Sequence, residues 1–234
     1  MAVVLVHGVR TSRTMWRRQS EALARAGVPS VAVDLPGHGT RSDERFTLDG
    51  AVDAVADGVG GLGGRALVVG LSLGGYVAIA HAARHPAQVA GLVAAGCCTR
   101  PRAVLVGGWA VLARGIARLP DRGAWLNDAS ARAVLGADAA ADLGAGGFSL
   151  DVMADVLREV ATLDPVAELA HVDAPVWLVN GRYDHFRGDE RRYLAACRDG
   201  RLVVVPGATH LVSVVAPVAF TRAVLEAHAA VGAR

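Results

Sequence analysis

The sequence predicts an α/β fold: a doubly wound, mostly parallel sheet of about six strands that carries one helical insertion. Three observations predict it. Short β-branched runs alternate with longer helical patterns, the signature of βαβ units. Several of those runs are apolar throughout, as strands covered on both faces must be. Finally, about 65 residues from Thr99 to Leu163 pass without a strand pattern. So long a segment in a compact domain reads as helical insertion and not as bare loop.

The elements follow in order. Ala2 to Val6 have no basic start and lead to no cleavage site, so they read as a strand, centred on Val3–Val6, and not as a signal peptide. A helical pattern covers Thr14–Ala26, then a strand run Ser30–Asp34, a helix Leu48–Val59, a strand Arg65–Gly70 and a helix Gly74–Arg84. His85-Pro86 stops that helix, because the residue before proline is pushed out of the α region. Val89–Ala95 is the next strand. In the insertion, Leu105, Gly108, Val111, Leu112, Gly115, Ile116 and Leu119 share one helical stripe, and Leu150, Met153, Leu157 and Val160 share another. Gly136–Gly147 between them is rich in Ala, Gly and Asp and reads as a mobile link. The alternation then resumes with the strand Pro175–Asn180, a helix Gly188–Ala196, the strand Arg201–Val205 and a helix Ala216–Ala229. This divides the chain into a core, residues 1–99 and 164–234, and an insertion, residues 100–163.

Composition narrows the function classes. Net charge is +2 over 234 residues, and the arginines are scattered among acids, which argues against a nucleic-acid groove. No apolar run approaches the roughly 18 residues of a membrane span. Lysine is absent, so Schiff-base chemistry is excluded. Three cysteines, two of them the neighbours Cys97 and Cys98, imply no disulfide framework. The expectation is a cytoplasmic protein that acts on a small molecule without cofactor, metal, membrane or nucleic acid. The sequence leaves its oligomeric state open.

Gly70-Leu71-Ser72-Leu73-Gly74 is the central signal. It closes an apolar strand and opens a helical pattern, the context in which G-x-S-x-G forms a nucleophile elbow. The turn is so tight that small residues must flank the serine, and the helix start aims N–H dipoles at its oxygen. Around this motif the chain resembles the α/β-hydrolase superfamily along nearly its whole length. VLVHGVRTSRTMW is similar to that family's early strand and oxyanion loop, and VAVDLPGHGTRS to the next strand and its loop. GLSLGGYVA resembles the elbow, VWLVNGRYD the strand bearing the acid, and PGATH the histidine loop.

The resemblance implies a catalytic triad of Ser72, Asp184 and His210, in the family's chain order, with the Val9 and Leu73 amides as the oxyanion hole. Related hydrolases usually begin with an antiparallel hairpin before the HG strand; this sequence starts at that strand, so a sheet of about six strands, all parallel, is expected. The chemistry fits the residues. His210 takes the serine proton and returns it to the leaving group, and Asp184 fixes the imidazole tautomer. Two fixed N–H donors stabilise the oxygen on which charge develops. Asp189 is the rival acid, one helical turn further on; Asp164 reads as a turn or cap residue and Asp34 as a turn scaffold. Among the other histidines, His7 reads as support for its loop, His38 as structural or solvent-facing, and His81 and His85 as helix surface. His185 neighbours the acid but is expected to face elsewhere.

The insertion would cap the site. Trp16, Tyr76, Trp109, Trp125, Phe186 and Leu211 are the candidate pocket residues. A pocket with few charges fits a small apolar ester, thioester or lactone, cleaved through an acyl-enzyme. C–C bond hydrolysis, a lyase or cyclase step and perhydrolysis would use the same triad, and a degenerate receptor is the non-catalytic alternative. Hydroxynitrile lyases of similar sequence carry threonine and lysine where this chain has Gly8 and Leu211, which disfavours their chemistry.

Overall fold

The computed structural model describes residues 1–101 and 137–233 and, between them, residues 107–109, 111, 115, 116, 118, 119, 121, 125, 129 and 132. Strands β1 (Ala2–Val6), β2 (Ser30–Val33), β3 (Ala66–Leu71) and β4 (Val89–Ala95) alternate with helices α1 (Arg17–Arg25), α2 (Leu48–Gly60) and α3 (Leu73–Arg84). Three helices precede the return to the sheet: α4 (Ala137–Gly144), α5 (Met153–Val160) and α6 (Pro165–Leu169). The chain closes with β5 (Val176–Gly181), α7 (Glu190–Ala196), β6 (Gly200–Val205), α8 (Val212–Val215) and α9 (Pro217–Gly232).

The six strands run β2-β1-β3-β4-β5-β6, every neighbouring pair parallel. Strand alternation sends successive side chains to opposite faces. Val4 and Val6 belong to the core shared with α2, α3, α5, α6 and α7, while Val3 and Leu5 belong to the core shared with α1 and α9. Helices therefore cover both faces, and each fully buried valine or leucine stabilises the fold by roughly 1.5–3 kcal/mol. The chain turns one way from β1 to β2 and the other way to β3. The crevice between the C-terminal ends of β1 and β3 is thus the switch point where open α/β sheets bind ligands.

Local chemistry sets the helix ends. Thr47 caps α2 by accepting from the Gly50 N–H at 3.1 Å, and Asp164 caps α6 through the Ala167 N–H at 3.2 Å. α3 ends at His85, before Pro86. Among the described residues no helix is long and apolar enough to cross a membrane.

The insertion departs from expectation in three places. Residues 137–144 of the expected mobile link form α4; Gly136 lies outside the described residues. Alanine favours helix, Leu143 is buried in the α1–α9 layer, and Asp142 accepts from Arg17 and Arg18. In α5 the buried side is Val152 and Val156, joined by Val160 and Leu163, and not the Leu150-Met153-Leu157 stripe. Polar anchors set this roll: Glu159 accepts from the Leu48 N–H at 3.0 Å, and Asp155 pairs with Arg45 at 3.3 Å. In the first stripe Val111 and Leu119 are exposed, while Leu105 and Leu112 lie outside the described residues.

Candidate active site

Only Ser72 separates β3 from α3. Its φ of 56° and ψ of −116° are strained for a residue with a side chain, a conformation worth roughly 1–3 kcal/mol that the surroundings must hold. The Ser72 N–H donates to Ala95 O at 2.8 Å, and Ser72 O accepts from the Gly75 and Tyr76 N–H groups. The flanking glycines answer to close approach. A Cβ on Gly70 would lie 2.1 Å from Gly74 O, and one on Gly74 would lie 2.2 Å from Val6 O. The same contact presses the start of α3 against the end of β1.

The loop after β1 is pinned by His7. Its Nε2 accepts from the Leu35 N–H at 3.0 Å, so Nδ1 carries the proton and donates to Gly8 O at 2.7 Å. Burial, reinforced by the neighbouring His38 ring, pushes His7 down to about 3, so it is neutral at ordinary pH. Thr11 Oγ1 donates to the same carbonyl at 2.9 Å. Buried Asp34 fastens the far side by accepting from the Arg13 and Thr40 N–H groups and from Thr40 Oγ1. A Cβ on Gly8 would lie 3.6 Å from Ser72 Cβ, so this loop stands beside the elbow. Among the described residues the Val9 and Leu73 amides donate to no protein group.

Three loops deliver the polar chain. Asp184 follows β5, is 4% exposed, and accepts at Oδ1 from the Phe186 N–H at 2.8 Å. His210 Nδ1–H donates to the same oxygen at 3.0 Å. That leaves His210 Nε2 to accept the Ser72 hydroxyl proton across 3.0 Å. Burial alone would raise the Asp184 carboxyl; the hydrogen bond and charge of His210, with the Phe186 N–H, outweigh it and hold the carboxyl below its usual range. A hydroxyl, a base and a buried anion in line are the parts of a proton relay.

The other expected residues divide. Phe186 and Trp109 come to the site: the Phe186 ring lies 4.8 Å from His210, and Trp109 lies 6.4 Å from Phe186 at 20° between planes. His185, expected to face elsewhere, joins them at 5.1 Å from His210, because the tight turn that bonds Phe186 N–H to Asp184 folds its ring back. Leu211 is half-buried against the α9 layer. Trp16 is 0% exposed and stacks on Phe220, which removes it from any wall that solvent reaches. Tyr76 is core too, its hydroxyl donating to Thr99 O at 2.5 Å. Trp125 is 74% exposed, with no ring partner among the described residues. His38 is buried and structural, bonding Pro36 O through Nδ1. His81 is buried, not surface, and meets Gln88 Oε1 at 2.8 Å while stacking on His85. Asp164 is a cap, as expected.

Asp189 does not reach His210. Its Oδ2 accepts from the Arg100 N–H at 3.0 Å and its own N–H donates to Cys98 O at 2.8 Å. It fastens the joint where the chain leaves β4, a role without a sequence signal because its partners are backbone groups far along the chain. Arg10 is the other residue that pattern reading passed over. It has a positive φ of 66° and follows Val9 directly, and that position in the HGV-R segment was its only signal.

Known proteins share this layout. A thermophilic esterase from Thermogutta terrifontis superposes with a TM-score of 0.81 at 23% identity, over 99% of this chain and 90% of that one. Pimeloyl-[acyl-carrier protein] methyl ester esterase from Neisseria meningitidis is 42% identical over 91 residues, 38% of this chain and 34% of the relative. Epoxide hydrolase B from Mycobacterium tuberculosis is 41% identical over 98 residues, 39% of this chain and 27% of the relative. The matched stretch thus spans about a third of the first relative and about a quarter of the second. Residues 3–223 match the alpha/beta hydrolase family as a whole, and with its parallel six-stranded sheet and serine turn the chain belongs to that family.

Proposed function

We propose that this protein is a serine hydrolase that cleaves a small, largely apolar ester, thioester or lactone through an acyl-enzyme. The observation that carries this reading is the unbroken chain Ser72 Oγ, His210 Nε2, His210 Nδ1, Asp184 Oδ1, with 3.0 Å at each junction. As His210 takes the hydroxyl proton, Ser72 Oγ attacks the carbonyl carbon. The charge that appears on the carbonyl oxygen meets the Val9 and Leu73 amides, whose alignment costs no reorganisation. Asp184 stabilises the imidazolium. Collapse of the tetrahedral adduct expels the alcohol or thiol, which takes the proton from His210 Nε2. Water then repeats the sequence on the acyl-serine and frees the acid.

Residues 100–163 serve as the cap in this reading. Trp109 supports it, because this insertion residue brings its ring to His185 and Phe186 beside the base. The Trp109–His185–Phe186 rings would form an apolar wall for the acyl or leaving group, with Leu211 behind His210. The near-neutral charge, with arginines scattered among acids, supports a small-molecule substrate over nucleic acid. A panel of methyl, aryl, thio- and lactone substrates assayed with wild type and Ser72→Ala tests the class. Turnover of at least one, lost in the variant, is the expected result; equal turnover by both proteins would end the proposal.

A further inference from the structure

Arg10 is unlike the paired arginines around it. Arg13 pairs with Asp34, Arg41 with Glu44 and Arg187 with Glu190. Among the described residues Arg10 has no ion pair, and its Nε is buried without a hydrogen-bond partner. Burial draws its guanidinium below the ordinary arginine range with nothing opposing it, whereas glutamates raise Arg41 and Arg187. Partly burying a cation without a counter-charge is unfavourable unless something else supplies one.

The backbone adds an independent observation. Among the described residues only Arg10 and Ser72 combine a side chain with a positive φ. Glycine would adopt 66° freely, while a side chain there costs on the order of 1 kcal/mol or more. The turn is held in that shape from outside, since Arg10 O accepts from the Ser149 N–H at 3.0 Å. Strain of this kind, kept in place by contacts, gathers at ligand clamps. The placement fits a ligand too: Arg10 lies two residues after Gly8, which abuts Ser72, and one after the Val9 amide. A guanidinium presents a planar fork of donors that matches a carboxylate in bidentate fashion.

We infer that Arg10 anchors a carboxylate carried by the substrate a few bonds from its scissile carbonyl, so that an otherwise apolar ester with one acidic end is preferred to its uncharged analogue. This rests on the serine-hydrolase reading for the reaction, though not for the binding. The rings beside His210 would then hold the apolar part of the molecule and Arg10 its charged end.

The test compares the methyl monoester of glutaric acid with its carboxamide analogue, which has the same shape without the charge. Calorimetry on Ser72→Ala protein reads binding, and kcat/KM on wild type reads turnover. The acidic ester should bind and react about ten- to a hundred-fold better, the range of a charge-assisted bidentate contact. Arg10→Gln and Arg10→Gly should both erase that ratio, even though glycine relieves the backbone. If the two compounds bind alike, or if both variants weaken them in equal proportion, Arg10 is only a turn residue and the inference fails. If the acidic ester binds selectively through Arg10 while wild type hydrolyses no ester, the hydrolase reading fails and the anchor stands.

Discussion

At the scale of residues, Ser72, His210 and Asp184 form one hydrogen-bonded chain. In the proposed mechanism each depends on the next: the hydroxyl is a weak nucleophile without the imidazole, and the imidazole offers the correct nitrogen only while Asp184 takes its Nδ1–H. Losses along such a path do not add. Ser72→Ala and His210→Ala should each lower kcat by on the order of 10⁶, and the double variant by little more. Asp184→Asn should cost about 10⁴, because an amide can hold the wrong tautomer. Asp189→Asn should stay within about tenfold of wild type. Steady-state kinetics of the four single variants and the double variant check this; a crippled Asp189→Asn beside an active Asp184→Asn would exchange their roles. These residues were legible because each follows a strand run and carries a turn motif of its own. The fate of Trp16, Tyr76 and His81 was not, since an aromatic or histidine at helical spacing reads alike whether it faces a pocket or the core. Arg10 was passed over for a related reason: an unpaired arginine is visible only once its neighbours are placed.

At the scale of elements, close backbone approach at the elbow explains more than composition does. Gly74 lets the first turn of α3 touch the end of β1, which brings the Leu73 amide and the loop of Val9 to one crevice. Gly74→Ala should therefore destabilise the fold by more than about 3 kcal/mol, as severe overpacking does, read as a lower urea midpoint. A midpoint within about 0.5 kcal/mol of wild type would show that the contact can relax. The joint after β4 is a second element-scale device, with Asp189, Tyr76 and Tyr193 all meeting Cys98, Thr99 or Arg100. The ends of α2, α3 and α9 are legible in the sequence because Thr47 caps the first, Pro86 follows the second and Pro217 opens the third. α4 reads as a link in sequence because residues 136–147 are rich in glycine and alanine, and it becomes a helix once Leu143 and Asp142 meet α1 and its preceding turn. The roll of α5 departs from its local apolar period because Glu159 and Asp155 bind the distant partners Leu48 and Arg45.

At the scale of the molecule, alternation predicts the parallel sheet, whereas the order β2-β1-β3-β4-β5-β6 is read from the structure, and its reversal at β1 and β3 puts Gly8 and Ser72 at the switch point. The boundary of the insertion is where sequence and structure part. Val152, Val156 and Leu163 lie inside it by sequence yet belong to the same core as α2 and α3, so its second half is part of the fold's interior. The whole molecule also carries a pH signature. His7 is held neutral, its value lowered from 6.5 to about 3, beside His38 and Asp34. An unfolded chain would protonate this histidine first, so its contribution is fully present above pH 6.5 and is lost as pH falls toward 3. Urea titrations from pH 8 to 4 should show stability falling through that window, and His7→Gln should flatten the slope; an unchanged slope would contradict the neutral pin. If Ser72 is an activated nucleophile, as proposed, a fluorophosphonate probe should modify it, and intact and peptide mass reads this directly. One adduct per chain is expected, on the peptide containing Ser72, absent in Ser72→Ala and strongly slowed in His210→Ala. No adduct on folded wild-type protein, or one that persists in Ser72→Ala, would contradict it.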